Sequence, residues 1–132
     1  INKKIRGCLL GGAVGDALGY QIEFKRSVRD KEVTRYRDKG IISDDTQMTL
    51  FTANGLLSGE SSGKMWKTHW KPRNSVAGAY WDWLATQKYA SHGMLPDFDS
   101  IEANACWLVY VPELYEWRAP GKTCLSSLNE RG

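Results

Sequence analysis

Apolar positions recur at helical spacing over most of the chain. Between Lys3 and Leu18 they fall at Ile5, Cys8, Leu9, Ala13, Ala17 and Leu18, steps of three and four that line one helix face. Gly7, Gly11, Gly15 and Gly19 recur at every fourth position of the same stretch. Glycines weaken an isolated helix. In exchange they leave a groove where a second helix can approach closely. Asp16 and the charged flanks argue for packing inside a bundle over a membrane dimer face.

The segment from Tyr20 to Ile42 reads as a loop with mixed charge. Ser43-Asp44-Asp45-Thr46 then opens a second helix, with Met48, Phe51, Leu56 and Leu57 as its apolar face and Ser58-Gly59 as its stop. Val76, Ala79, Tyr80, Trp83 and Leu84 predict a third helix over 75–87. A fourth segment is expected over Ile101–Trp107, and the apolar run Leu108–Val111 is compatible with a short strand. Pro112 suits the start of a helical turn. Ala119-Pro120-Gly121 marks a loop, and Thr123–Leu128 the start of a further helix. The pattern predicts an all-α fold, and no repeat or low-complexity tract divides it.

Composition narrows the picture without changing it. The 132 residues are 42% apolar and 25% charged, which is the balance of a globular domain. The net charge of +3 is modest, and in Lys25–Lys39 the basic residues are interleaved with Asp30, Glu32 and Asp38. That is a solvated surface, not a nucleic-acid stripe, although a weak positive field favours an anionic small substrate. No apolar run reaches membrane-span length. The three cysteines, Cys8, Cys106 and Cys124, are odd in number and unpaired in spacing. They fit thiols in a reducing, cytoplasmic compartment. Neither His69 nor His92 has zinc-like spacing to them. The chain starts at Ile1 without an initiator Met and ends at Gly132 without a finishing element, so residues 1–132 are expected to be the N-terminal part of a longer, single domain.

Two motifs carry candidate chemistry. In Ser43-Asp44-Asp45-Thr46, serine and aspartate at a helix start serve as caps, and Asp44 with Gln47 has the spacing of a capping pair. The same oxygens are also what a hard cation such as Mg²⁺ takes as ligands. The second motif is the glycine-rich helix Gly7–Gly19, with Asp16 inside it and Glu23-Phe24 after it. A carboxylate in an apolar helix needs donors or a cation to offset its burial. Asp16 therefore reads either as satisfied by backbone groups or as support for metal ligands.

Other matches fail. Gly121-Lys122-Thr123 ends like a phosphate-binding loop, but Glu116 stands where the earlier glycine is required. The N-terminal glycines lie within a helix and not at the opening of one, unlike a dinucleotide fingerprint. Ser126 and Ser127 lack the setting of a nucleophilic serine.

Taken together, Gly7–Gly19, Glu23-Phe24 and Ser43–Thr46 in this order resemble the ADP-ribosylglycohydrolase family, which includes the dinitrogenase reductase-activating glycohydrolases. Arg118-Ala119-Pro120-Gly121-Lys122-Thr123-Cys124 is similar to a later family loop. Lys122 stands there in place of asparagine, and the loop lacks the aspartate that one form of the motif carries. The resemblance implies a compact orthogonal helical bundle, here an incomplete domain, around two Mg²⁺ ions, with Mn²⁺ as the alternative. It implies Ser43, Asp44 and Asp45 as metal ligands, with Asp16 and Thr46 supporting them. Glu23 would be the catalytic carboxylate, and Gly121 and Thr123 substrate contacts. The C-terminal D-x-D-[DST]-T cluster of such enzymes and their Asn-Gly-rich middle motif are missing from this sequence.

The implied reaction is removal of ADP-ribose from a modified protein side chain or related compound, with helix N-termini and basic side chains holding the diphosphate. Neither nucleic acid nor membrane is an expected partner. Two other readings stand beside it: a non-catalytic ADP-ribose-binding or structural member, and a Mg²⁺-dependent phosphohydrolase built on the acid pair.

Overall fold

The structure is a computed structural model that describes residues 2–25, 35–36, 39–66 and 71–130. Most of the mixed-charge segment Lys25–Lys39, and His69, lie outside the described residues. Four α-helices follow one another: α1 (Asn2–Glu23), α2 (Asp44–Trp66), α3 (Pro72–Ala90) and α4 (Lys122–Asn129), with 3-10 turns at Trp107–Tyr110 and Pro112–Leu114 before α4. The fold is all-α, with no strand among the described residues. No described helix is long and apolar enough to cross a membrane.

Two helices run further than the pattern predicts. α1 continues past Gly19 to Glu23, so Glu23 is its last residue and not part of a loop. α2 passes through Ser58-Gly59 and Ser61–Gly63 to Trp66. Its stop signal fails because tertiary packing overrides local propensity. Residues 47, 51, 54, 55 and 59 are buried and form the true inner stripe of α2, at steps of three and four. Two of them are glycines. A Cβ on Gly55 would lie 2.7 Å from the Ala79 Cβ and 2.9 Å from the Ser75 carbonyl of α3. The close helix approach predicted for the glycine stripe of α1 is made by α2 instead. Gly7, Gly11, Gly12, Gly15 and Gly19 have open space where a Cβ would point. Leu56 and Leu57, expected inside, are 36% and 62% exposed.

The core lies between α2 and α3, closed by the chain that follows α3. Phe51, Ala79, Trp83, Cys106, Leu108, Val109 and Leu114 form it. α3 starts three residues before the predicted point because Pro72 at its first turn is preset for helix. The helix expected over Ile101–Trp107 is absent, as is the strand over Leu108–Val111; a single 3-10 turn covers Trp107–Tyr110. The cause is Asp82. This carboxylate is 1% exposed. It accepts bonds of 2.8 Å from the backbone amides of Asn104, Ala105 and Cys106 and from the Asn104 side chain. Amides that donate to Asp82 are not available to the carbonyls four residues back, so no helical ladder runs through 104–106. Tyr115 then donates to the Val109 carbonyl at 2.7 Å and fixes the following turn.

α1 is more loosely held. Ala17 is its one buried residue, whereas Ile5 is 53% exposed, Leu10 64% and Val14 49%. Its polar links to the rest of the molecule include Asp16 and Gln21, whose side chain donates to the Arg35 carbonyl at 3.0 Å.

Candidate active site

The start of α2 is where three parts of the chain meet. Ser43 is the residue before the first helical turn, and its Oγ accepts from the Asp45 amide at 3.2 Å. The capping reading is therefore realised through Ser43. The proposed Asp44–Gln47 capping pair is not formed, because Gln47 is 1% exposed and turned into the core. Two further amides of this helix end are met from outside. Asp16 on α1 accepts from the Ser43 amide at 2.8 Å and from the Thr46 hydroxyl, both through Oδ2. The Asp44 amide donates to the Arg118 carbonyl at 3.0 Å. Asp16 is thus a cap supplied by another helix, which accounts for a carboxylate inside a glycine-rich segment.

The amides of 43, 44 and 45 are consequently all engaged by protein oxygens. These three amides are not free to bind a diphosphate, and the charge gathered there is negative.

The loop before α4 closes the site from the other side. Gly121 donates its amide to Asp44 Oδ2 at 3.1 Å. Ala119 adopts a left-handed conformation, φ 55°, between these contacts. Thr123 lies exposed in the first turn of α4 and Lys122 is exposed beside it. Of the two expected substrate contacts, Gly121 is directed at Asp44 and Thr123 faces solvent.

Asp44 is half-buried and Asp45 exposed. Burial is the main influence that pushes the Asp44 carboxyl above its usual range. The Gly121 amide opposes the rise, while the Asp45 and Asp16 charges add to it. The crowding of Asp44 by two neighbouring carboxylates is a cost that a cation would reverse. Beside them, between α1 and α2, a cleft of about 330 Å³ is lined by Leu9, Gly12, Ala13, Asp16, Asp45, Thr46, Thr49 and Leu50. One wall is apolar and the other carries oxygen ligands.

The donor set fits a hard divalent cation in kind: Asp44 and Asp45 carboxylates and the free lone pair of Ser43 Oγ, with oxygen throughout. It is a partial sphere. Among the described residues no group of three or more His, Cys, Asp or Glu side chains is arranged to hold a metal.

Glu23 is not brought into this arrangement. It is exposed and makes no hydrogen bond or ion pair with 43–46. It stands seven residues after Asp16 on α1, nearly the same face and about 10 Å further along the axis. The pattern thus brings together Asp16, Ser43, Asp44, Asp45, Thr46 and Gly121, and leaves Glu23 and Thr123 at the margin.

Sequence reasoning gave Gln47 only a capping role with Asp44, and the structure gives it a different one. Its Oε1 accepts from Trp83 Nε1 and Gln87 Nε2 of α3, each at 3.2 Å, and its Nε2 donates to the Glu116 carbonyl at 3.0 Å. The signal available was weak: a polar residue at a position that helical spacing aligns with Phe51.

No curated protein and no solved structure matches this chain. A family model does so over its full length: residues 1–132 match the description ADP-ribosylglycohydrolase, and the chain belongs to that family of hydrolases.

Proposed function

We propose that this chain carries part of a metal-dependent site for hydrolytic release of ADP-ribose from a modified side chain or related ADP-ribosyl compound. The observation that supports it is the acid pair Asp44-Asp45 at the start of α2, at the edge of a cleft, with the flanking Ser43 and Thr46 bonded to Asp16 and the Asp44 carboxylate bonded to the Gly121 amide. Ser43, Asp44 and Asp45 would hold Mg²⁺ or Mn²⁺, two ions in the complete site. Bound there, such ions orient ribose hydroxyls and lower the pKa of a water.

The chain's own residues then have separable tasks. Departure of the leaving group builds positive character at the anomeric carbon, which a carboxylate of the site not neutralised by the ions would stabilise. Asp16 and Thr46 keep the Ser43-Asp44 segment in place. Glu23, on the Asp16 face of α1, would guide the attacking water or protonate the leaving group. The apolar wall of Leu9, Ala13 and Leu50 excludes bulk water from the inner side of the cleft. The working protein is a longer chain in this reading, with the remaining ligands contributed by residues beyond these 132.

The test is Mg²⁺-dependent release of ADP-ribose from mixed ADP-ribosylated proteins. It compares this chain, a form extended to the natural C-terminus, and the extended Asp44→Asn variant. Release by the extended wild type that is lost in the variant supports the reading. AMP or phosphate as product would point to a phosphohydrolase. No product from a folded, metal-loaded extended protein across arginine, serine and other linkages would leave a non-catalytic member of the family.

A further inference from the structure

We propose that Gln47 is a positioning residue that straps the 116–121 segment onto Asp44 and so fixes the direction of the Asp44 carboxylate, an inference that rests on the metal-site reading above. All three hydrogen-bonding links of the Gln47 amide are used by two different parts of the fold. Trp83 and Gln87, both buried on α3, donate to Oε1. This fixes the amide's orientation. Rotated by half a turn, its NH₂ would face the Trp83 N–H and the Gln87 NH₂, donor against donor, in a water-free core. Nε2 is therefore directed at the Glu116 carbonyl and holds it at 3.0 Å.

From that anchor the chain crosses the end of α2. Arg118 receives the Asp44 amide and Gly121 donates to Asp44 Oδ2. On α2, Gln47 and Asp44 are one turn apart, a rise of about 4.5 Å. The five residue steps from Glu116 to Gly121 can span about 17 Å when extended. The strap has far more length than its anchors require and must fold back on itself. It does so at Ala119, whose left-handed φ of 55° is disfavoured for a non-glycine residue. A strained conformation of this kind persists only where its neighbours are held on both sides. Gln47 holds one side and Asp44 the other. With Oδ2 occupied by Gly121, the second oxygen of Asp44 is the one left for a cation.

The experiment compares wild type, Gln47→Met and Phe51→Leu, the last a core variant on the same helix that lowers stability without touching the strap. Amide hydrogen exchange at Asp44 and Gly121 is read by NMR, and Mn²⁺ binding by electron paramagnetic resonance. Gln47→Met should speed exchange at both amides at least tenfold beyond its loss of global stability, and weaken Mn²⁺ binding about tenfold. Phe51→Leu, compared at equal stability, should do neither. Equal exchange in the two variants overturns the strap. Faster exchange with unchanged Mn²⁺ affinity overturns the positioning of Asp44. A wild type that binds no Mn²⁺ refutes the metal assignment, and the exchange comparison still decides whether Gln47 holds the strap. Should Gln47→Met not fold, Gln87→Leu removes one of the two donors to Oε1 and is read in the same way, with an expected effect of about threefold.

Discussion

Replacing Asp16 with alanine should detach α1 from the start of α2. Asp16 Oδ2 takes two hydrogen bonds, from the Ser43 amide and the Thr46 hydroxyl, in a partly buried setting. Bonds to a charged acceptor contribute about 1.5–3 kcal/mol each, and their loss also strands two buried donors. Against this stands relief of repulsion, since Asp16 adds to the proton affinity of Asp44. Ser43 and Thr46 are 3% and 7% exposed, so water reaches neither donor without local opening. A net loss of about 3 kcal/mol follows for Asp16→Ala. Asp16→Asn keeps an acceptor oxygen and loses the charge, so about 1 kcal/mol is expected. Urea unfolding followed by circular dichroism gives both numbers in one series. α1 buries only Ala17, so little apolar packing remains to hold it once the bonds go. Amide exchange over 2–23 should therefore accelerate in Asp16→Ala before global unfolding. An Asp16→Ala protein within 0.5 kcal/mol of wild type, or an Asp16→Asn protein as damaged as the alanine variant, would falsify the cap assigned to Asp16.

Three further outcomes follow from particular atoms. Gly55→Ala should cost about 1–3 kcal/mol, because the new methyl meets the Ser75 backbone carbonyl of α3, whereas Gly11→Ala, facing open space, should gain about 0.5–1 kcal/mol; paired thermal melts check the contrast. The Cys106 thiol, pushed up to about 12 by burial and then by Asp82, should resist thiol reagents at pH 8 while exposed Cys8 reacts at once, and should react fully in urea. The folded state holds that proton more tightly than the unfolded one, so stability should fall as pH rises from about 9 toward 12, and Cys106→Ala should remove that part of the slope. Asp44 has the same sign at acid pH: its raised pKa favours folding below the usual carboxylate range, and that contribution is lost as pH rises through the raised value. In metal-free buffer Asp44→Asn should flatten this part of the stability curve, as measured by urea titrations from pH 3 to 7.

The helices were legible where apolar spacing and burial coincide, and illegible where polar or very small residues carry the packing. α3 illustrates both. Ala79, Trp83 and Leu84 mark its inner face in the sequence, yet Asp82, Thr86 and Gln87 are buried on it too, and no apolar pattern announces them. α2 is the stronger case. Its inner stripe includes Gln47, Asn54, Gly55 and Gly59, three kinds of residue that a hydrophobicity count discards. Gly59 read as a stop because glycine weakens an isolated helix, whereas Gly55 sits inside one because α3 lies where its side chain would be. On α1 the same four-residue spacing reads as a packing groove and meets nothing. Spacing specifies which residues share a face; it does not specify what faces them.

The site divides along the same line. Ser43, Asp44 and Asp45 were legible because a cap and a hard-metal ligand set draw on the same oxygen chemistry. Ser43 caps through one lone pair, and Asp44 commits one oxygen to Gly121. In the proposed site a cation would take the oxygens that remain. The supporting residues were less legible because each acts through a partner distant in sequence: Asp16 across 27 residues to Ser43, Gln47 across 69 to Glu116, Gly121 across 77 to Asp44. None of these pairings leaves a local signature. Yet they decide whether two adjacent aspartates are surface caps or a held pair. A surface cap is bound by its own helix alone, whereas Asp44 is tied at its amide and at its carboxylate to a strap that Gln47 anchors in the core. That geometry costs a left-handed alanine and a crowded set of negative charges. Neither cost has a purpose in a plain helix cap, and in the proposed site a bound cation would offset the crowded charge.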